Sequence, residues 1–237
     1  MDNLVSCILP TYNRQSFFRQ ALRCFLRQTW DNSELVVVDD GDDPVEDICR
    51  GVLRVRYVRL ANRTNLGAKL NIGIEHAQGD VIQKLDDDDY YHPEFLEFGV
   101  KVLGSSSQCS ITAWDCFLVL LAGEDRVRYS GHGWTAGGTL LFRRAQWKRA
   151  GFRDIPRAVD EAFLNDHPGA ARRVCAPDLY MLVRHGGNTW TTMHGSHVDD
   201  QFSRLPVRRK LVDVIEPIDR AFYCSLRSHR LLQEASQ

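Results

Sequence analysis

Short apolar runs alternate with helix-patterned stretches along the first hundred residues, and this alternation limits the fold more than any other feature of the chain. "LVSCILP" (4–10), "ELVVVDD" (34–40), "VRYVRL" (55–60) and "DVIQKL" (80–85) have the length and β-branched content of strands, the first two nearly unbroken as in strands buried on both faces. Between them, "SFFRQALRCFLRQ" (16–28) sets Phe18, Ala21, Leu22, Phe25 and Leu26 on one stripe at helical spacing, with Ser16 as its expected cap. "VEDICRGVL" and "AKLNIGIEHA" (68–77) supply the next helices. Such repetition predicts an α/β fold: a Rossmann-like, mostly parallel central sheet flanked by helices and joined by right-handed crossovers.

In sheets of this kind ligands sit beyond the carboxyl ends of the strands. Each of these four runs ends in a polar cluster: "PTYN" (10–13), "DDGDD" (39–43), "ANRTN" (61–65) and "DDDD" (86–89). Four acids in a row, Asp86 to Asp89, repel one another. Either solvent screens them in a loop, or a divalent cation cancels the repulsion. Their place after a buried strand, on the edge shared by the other clusters, favours the cation.

The familiar phosphate loops are missing, with neither GxxxxGK[ST] nor a GxGxxG after the first strand. Net charge is −1, so no global field recruits nucleic acid or anionic lipid. Hydrophobic residues at 43% over 237 residues suffice for a sizeable core. The seven cysteines are scattered without a CxxC pair, which points to buried thiols in a reducing compartment rather than a zinc knuckle or redox pair. The opening "MDNLVSCILPTYN" lacks a basic leader, and the longest apolar run, "CFLVLLAG" (116–123), is too short to span a bilayer; a cytoplasmic protein is expected.

Beyond the expected helix "HPEFLEFGVKVL" (92–103), "SITAWDCFLVLL" and "RVRY" form an expected hairpin across "AGED", "GGTLLFRR" (137–144) reads as a strand, and "AQWKRAGF" and "DEAFLND" (160–166) as helices. "RRVCAPDLYMLVRHGGNTW" suggests two short strands. The tail 207–233 reads as helices broken at Pro217, arginine-rich at helical spacing; it suits packing or a dimer contact, or an interfacial helix at the inner face of a membrane. No linker or repeat divides the chain, so one domain over 1–237 is expected, with a nucleotide-binding part (1–100), a second part (101–205) and a helical tail (206–237).

"VSCILPTYNRQSFFRQALRCFLRQTWDNSELVVVDDGDD" followed by "NLGAKLNIGIEHAQGDVIQKLDDDDYYHPEFL" resembles the opening half of a family 2 glycosyltransferase of GT-A type, over residues 4–100 and across four separate motifs. The resemblance implies a metal-dependent, inverting transfer of a sugar from a UDP- or dTDP-type nucleoside diphosphate-sugar to an acceptor hydroxyl on a glycan, lipid-linked carrier, protein or small molecule. It implies Mn²⁺ or Mg²⁺ on an Asp-x-Asp motif, with Asp88 and Asp86 as ligands and Asp87 on the ribose or beside the ligands. Pro10, Tyr12 and Asn13 would wrap the nucleobase, although the last two also suit a strand end and helix cap. Asp40 would accept from an imide N–H, supported by Asp39. Asn65 and Lys69 would reach the diphosphate, although the sequence reads "AKLN" where the family commonly has "ARN".

The base would be an acid opening a helix after a Gly-rich strand, a position matching Asp160, with Glu161 beside it as the alternative. Acids at a helix N-terminus are also favoured by the helix dipole alone. His185 would be a further metal ligand, with His194 its rival. Trp134 and Trp190, beside glycines, could stack on donor sugar or acceptor, or sit in the core. Two other readings share parts of this pattern: a sugar-1-phosphate nucleotidyltransferase and a non-catalytic nucleotide-sugar or glycan-binding module.

Overall fold

In the computed structural model, which describes residues 3–226 apart from Ser107 and residues 194–195, the expected alternation is present. Strand β1 (Val5–Thr11) leads to helix α1 (Gln15–Leu26), β2 (Ser33–Asp39), α2 (Glu46–Cys49), β3 (Val55–Arg59), α3 (Leu66–His76) and β4 (Val81–Lys84). β5 (Tyr90–Tyr91) and α4 (Phe95–Gly104) close the first half. There follow β6 (Ile111–Cys116), β7 (Leu118–Leu121), β8 (Arg126–Tyr129), β9 (Leu141–Arg143), α5 (Arg144–Arg149), α6 (Val159–Asp166), β10 (Ala171–Cys175) and β11 (Tyr180–Arg184). Last come β12 (Thr192–Met193), β13 (Ser196–His197), α7 (Val198–Ser203), β14 (Val207–Lys210) and α8 (Arg220–Ser225).

A seven-stranded sheet runs β10-β6-β9-β4-β1-β2-β3. β1 pairs in parallel with both β2 and β4, β2 with β3, and β6 with β10. Only β9 runs against its neighbours, β4 and β6. β1 is buried along its whole length, and Ile8, Val36 and Val38 are fully enclosed beneath α3, as the unbroken apolar runs require. Gly73 permits the close approach: a Cβ there would lie 2.5 Å from the Ile8 side chain. α1 covers the other face with Phe18, Ala21, Leu22 and Phe25.

A second sheet of five strands, β14-β8-β7-β11-β5, packs into the larger core cluster. The run expected as one hairpin arm, "SITAWDCFLVLL", is divided: β6 belongs to the first sheet and β7 to the second, with Phe117 between them. The break is hidden in the sequence because the chain stays buried and apolar across it, from Cys116 to Leu120. β7 and β8 do form the hairpin across residues 122–125.

Further expectations are corrected. Ser16 lies inside α1 rather than at its cap, which falls at Arg14 without a side-chain hydrogen bond. "GGTLLFRR" opens as a 3₁₀ turn, Gly137–Thr139, and only Leu141–Arg143 pair as a strand. In the tail, residues 207–210 are an exposed edge strand, and Pro217 opens a 3₁₀ turn leading into α8. The tail's remaining residues, 227–233, lie outside the described chain. α8 packs on α1: the enclosed Asp219 carboxylate accepts from Gln20 at 2.6 Å and pairs with Arg27, while Arg23 donates to the Ile218 carbonyl at 2.6 Å. Among the described residues no helix is long and apolar enough to cross a membrane.

Candidate active site

The four acids after β4 do not share one environment, although Asp87 and Asp88 share Arg14. Lys84, itself buried at the end of β4, donates to both Asp86 oxygens at 2.5 and 2.7 Å. Asp87 accepts from the Thr11 hydroxyl at 2.8 Å and from Arg14 at 2.9 Å. Asp88 Oδ2 receives Arg14 at 2.9 Å, His185 Nε2 at 3.1 Å and the Asn188 amide at 3.1 Å. Asp89 accepts the Tyr180 hydroxyl and the Val183 N–H at 2.9 Å, which fastens β11 to the run. Repulsion is thus divided among cations and dipoles from distant segments.

The same surroundings separate the acids in basicity. Burial pushes Asp87 up to about 6, against the pull of Arg14. Burial acts on Asp88 too, but the hydrogen bond from His185 and the charge of Arg14 outweigh it and hold Asp88 below the usual carboxylate range. Burial, with Asp88 and Asp86 close by, drives Asp89 well upward. Asp88 is therefore the carboxylate of the run held most firmly as an anion, and Asp89 is a structural acid.

His185 is oriented on three sides. Its ring stacks on Phe17 at 4.3 Å, its Nδ1 accepts the Gly187 N–H at 3.1 Å, and Nε2 faces Asp88. Phe17 in turn meets Phe222 of α8 edge-on at 5.5 Å. The rival His194 lies outside the described residues. A carboxylate beside an imidazole, already meeting the cationic Arg14, is a donor set that fits Mn²⁺ or Mg²⁺.

At the start of α6 the two candidate bases diverge. Glu161 is exposed, whereas Asp160 turns toward Gly137, where a Cβ would lie 3.2 Å from its Cγ and 3.1 Å from Lys84 Nζ. The missing side chain at Gly137 lets Asp160, Lys84 and, next to Lys84, Asp86 share one corner. Burial raises the Asp160 carboxyl above its usual range; Lys84 pulls it down and Asp86 pushes it up. Burial disfavours charge on Lys84, yet Asp86 and Asp160 keep its ammonium protonated. Ala158, which precedes α6, holds φ at 55°, a left-handed conformation costing a non-glycine residue about 1–2 kcal/mol. Gly67 of α3 braces this segment: its N–H donates to the Ile155 carbonyl at 3.2 Å, and a Cβ there would strike the Arg153 carbonyl oxygen.

At the ends of β1 and β2, Pro10 is buried in β1, and Tyr12 is half-buried with the Arg63 guanidinium 3.4 Å over its ring. Asn13, at φ 52°, accepts the Asp43 N–H at 2.9 Å through its side chain and so joins the strand ends of β1 and β2. Asp39 shapes the turn, accepting from the Gly41 and Val45 N–H groups at 2.8 and 2.9 Å. Asp40 is enclosed by the Thr64 N–H at 2.8 Å, Arg63 at 3.0 Å and Lys69 at 2.7 Å, which together hold its carboxyl below the usual range despite burial. Lys69, expected at the diphosphate, has its ammonium buried between Asp40 and the Thr11 carbonyl, 2.7 Å from each. Asn65 stands exposed at the N-cap of α3. Trp134 and Trp190 are half-buried and meet each other at 6.5 Å and Phe202 at 5.4 and 5.7 Å.

Residues 6–118 match the description "Glycosyl transferase family 2". That stretch is just under half of the chain. An uncharacterized glycosyltransferase of Rickettsia felis is 37% identical over 106 residues, which is 43% of this chain and 17% of that protein. Another, from Haemophilus influenzae, is 39% identical over 99 residues, 40% of each chain. The chain thus spans well under half the length of these relatives. Among solved structures, the mannosyltransferase PcManGT of Pyrobaculum calidifontis, in complex with GDP-Man and Mn²⁺, superposes with a TM-score of 0.61 at 20% identity, covering 77% of this chain and 56% of that one. TarS 1–349 of S. aureus, in complex with UDP-GlcNAc, gives 0.64 at 18% identity, over 80% and 61%. The fold is that of the GT-A glycosyltransferases.

The matched stretch holds the ends of β1 to β4 and the acid run but ends before Asp160 and His185. The later half folds both back against it. Sequence reasoning missed Arg14, Lys84 and Asn188. Lys84 had a readable signal, since a lysine closing an apolar strand one residue before an acid run needs a carboxylate partner. Arg14 and Asn188 had none: they reach Asp88 across 74 and 100 residues of chain.

Proposed function

We propose that the chain is an inverting glycosyltransferase that moves a sugar from a UDP- or dTDP-type nucleoside diphosphate-sugar to an acceptor hydroxyl. The observation that carries the reading is the single corner in which Asp160 and Lys84 flank Gly137 and Lys84 grips Asp86, next to the Asp88–His185 pair. Asp160 takes the proton of the acceptor hydroxyl as its oxygen attacks the anomeric carbon, and the bond from that carbon to the diphosphate breaks with its electron pair leaving on the nucleotide. A raised basicity suits this role, because the acid must be ionised yet able to hold a proton at neutral pH.

Asp88 and His185, with Asp86 and Asp87 adjacent, would hold Mn²⁺ or Mg²⁺, which supplies charge neutralisation to the departing diphosphate. Tyr12 offers its ring to the nucleobase once Arg63 swings aside, and Asp40, released from Arg63, accepts from the base. Pro10, Asn13 and Asn65 line that end. Trp134 and Trp190 present an aromatic wall on the acceptor side.

Calorimetry of UDP binding with Mn²⁺ tests this. Asp88→Ala should lower the affinity by tenfold or more while melting temperature in the absence of ligand stays within a few degrees. Equal affinity in the variant would remove the metal assignment. Manganese-dependent hydrolysis of a nucleotide-sugar, abolished by EDTA, separates a transferase from a binding module.

A further inference from the structure

A second cluster of ligating side chains lies apart from the donor site, where the ends of β6 and β10 meet the loop before Gly137. Asp115, Cys116, His132 and Cys175 bring one carboxylate oxygen, two thiols and one imidazole nitrogen within 4.8 Å of one another. These four come from three separated segments, and no CxxC spacing announces them. The expectation of scattered buried thiols is corrected here, since Cys175 and Cys224 are exposed and Cys116 and Cys175 are adjacent.

A backbone irregularity assembles the set. β6 and β10 pair in parallel, but Val174 faces Trp114 while Cys175 faces Cys116, so Asp115 is the extra residue of a bulge. In a regular strand Asp115 and Cys116 would point to opposite faces; a bulge re-aims side chains, and here both reach the same cluster. The two Sγ atoms lie 2.7 Å apart. His132 Nδ1 meets Asp115 Oδ2 at 3.0 Å, and its Nε2 meets the Tyr129 hydroxyl at 3.3 Å. The other carboxylate oxygen, Asp115 Oδ1, is buried with no hydrogen-bond partner, a costly state for a carboxylate.

We propose that Asp115, Cys116, His132 and Cys175 form a structural zinc site, separate from the hard-cation site at Asp88. Two thiolates, an imidazole and a carboxylate are a tetrahedral zinc set, with Zn–S bonds of about 2.3 Å that space the sulfurs about 3.8 Å apart. Loading therefore opens the sulfur pair by about 1 Å, releases both thiol protons to solvent and gives the orphaned Asp115 oxygen, or its neighbour, a cation. A disulfide would use only the two sulfurs and leave that oxygen as it is. The soft thiolates favour zinc, whereas the oxygen-rich donor edge favours Mg²⁺ or Mn²⁺, so the two sites sort their metals by chemistry. The zinc would pin the 130–136 loop, which carries Trp134 and leads directly to Gly137 beside Asp160, to the sheet.

The full chain, purified under reducing conditions and exchanged with Co²⁺, should show thiolate-to-cobalt charge-transfer absorption in the near ultraviolet at one equivalent, a signal that carboxylate-bound cobalt at Asp88 does not give. Cys175→Ser, which leaves one thiolate, should cut the band by half or more. His132→Ala, at a side chain 63% exposed and so harmless to folding, should keep thiolate absorption but change the d–d bands and weaken binding about tenfold or more. Overturning results would be no thiolate band in the reduced wild-type chain, or d–d bands unaltered in His132→Ala. So would loss of two titratable thiols on purification with no bound metal, which would assign the pair to a disulfide.

Discussion

Asp160 and Glu161 are neighbours in sequence, yet one faces a buried ammonium and the other faces solvent. Asp160→Asn should leave UDP affinity near the wild-type value and lower kcat by about 10²–10⁴-fold, while Glu161→Gln should change kcat little; steady-state kinetics with calorimetry checks both. The sign of the pH effect follows from the same corner. A base whose folded pKa is raised is inactive at low pH, so kcat/KM should climb with pH through a midpoint above the ordinary carboxylate range. Lys84 pulls that midpoint down. Lys84→Met should therefore move the acid limb to higher pH, and a limb that stays fixed would deny the contact a role in tuning the base. The resemblance pointed to an acid opening a helix after a Gly-rich strand, but the pattern alone did not separate Asp160 from Glu161; which of them faces Lys84 depends on the side of α6 that meets Gly137. Asp86 to Asp89 were legible as one patch; that their environments differ was not, because those partners come from Thr11, Arg14, Tyr180 and His185.

Among the elements, β1 to β4 and α1 to α3 could be read closely, since strands buried on both faces leave unbroken apolar runs. β14 could not: its four residues are all exposed at a sheet edge, so no alternation of apolar and polar residues marks it. The division between β6 and β7 was invisible for another reason: the apolar run from Cys116 to Leu121 continues through Phe117 without a turn residue. α8 shows how an unpromising tail is fixed. Its anchor, Asp219, has no solvent exposure and is held by Arg27 and Gln20 of α1. Asp219→Ala would leave Arg27 without its carboxylate, and removing one partner of a buried pair costs about 3–5 kcal/mol. Thermal unfolding should fall by roughly 6–15 °C for a chain of this size. Because Phe222 of α8 leans on Phe17, which stacks on His185, the same variant should also weaken manganese-dependent UDP binding, and a full-affinity variant would show that the stack does not steer the imidazole.

For the whole molecule, the placement of the acid run matters more than its charge. β4 ends at Lys84 in the seven-stranded sheet, and β5 begins at Tyr90 in the five-stranded one, so Asp86–Asp89 are the backbone that passes between the two sheets. The chain passes from the first sheet to the second again at Phe117, and a third time between Cys175 and Tyr180, returning between Tyr91 and Ile111 and between Tyr129 and Leu141. Arg14 and Thr11 grip this passage from the first sheet's side, and His185, Asn188, Tyr180 and Val183 from the second's. A donor and cation seated there would join both halves at once. Hydrogen–deuterium exchange should then show slowed amides in β5 and β11 as well as in β1 when UDP and Mn²⁺ are added, with protection limited to β1 and β2 as the contrary result. On the proposed reading, the molecule would relax when empty and stiffen when charged, because one short ribbon of peptide ties both sheets to the bound donor.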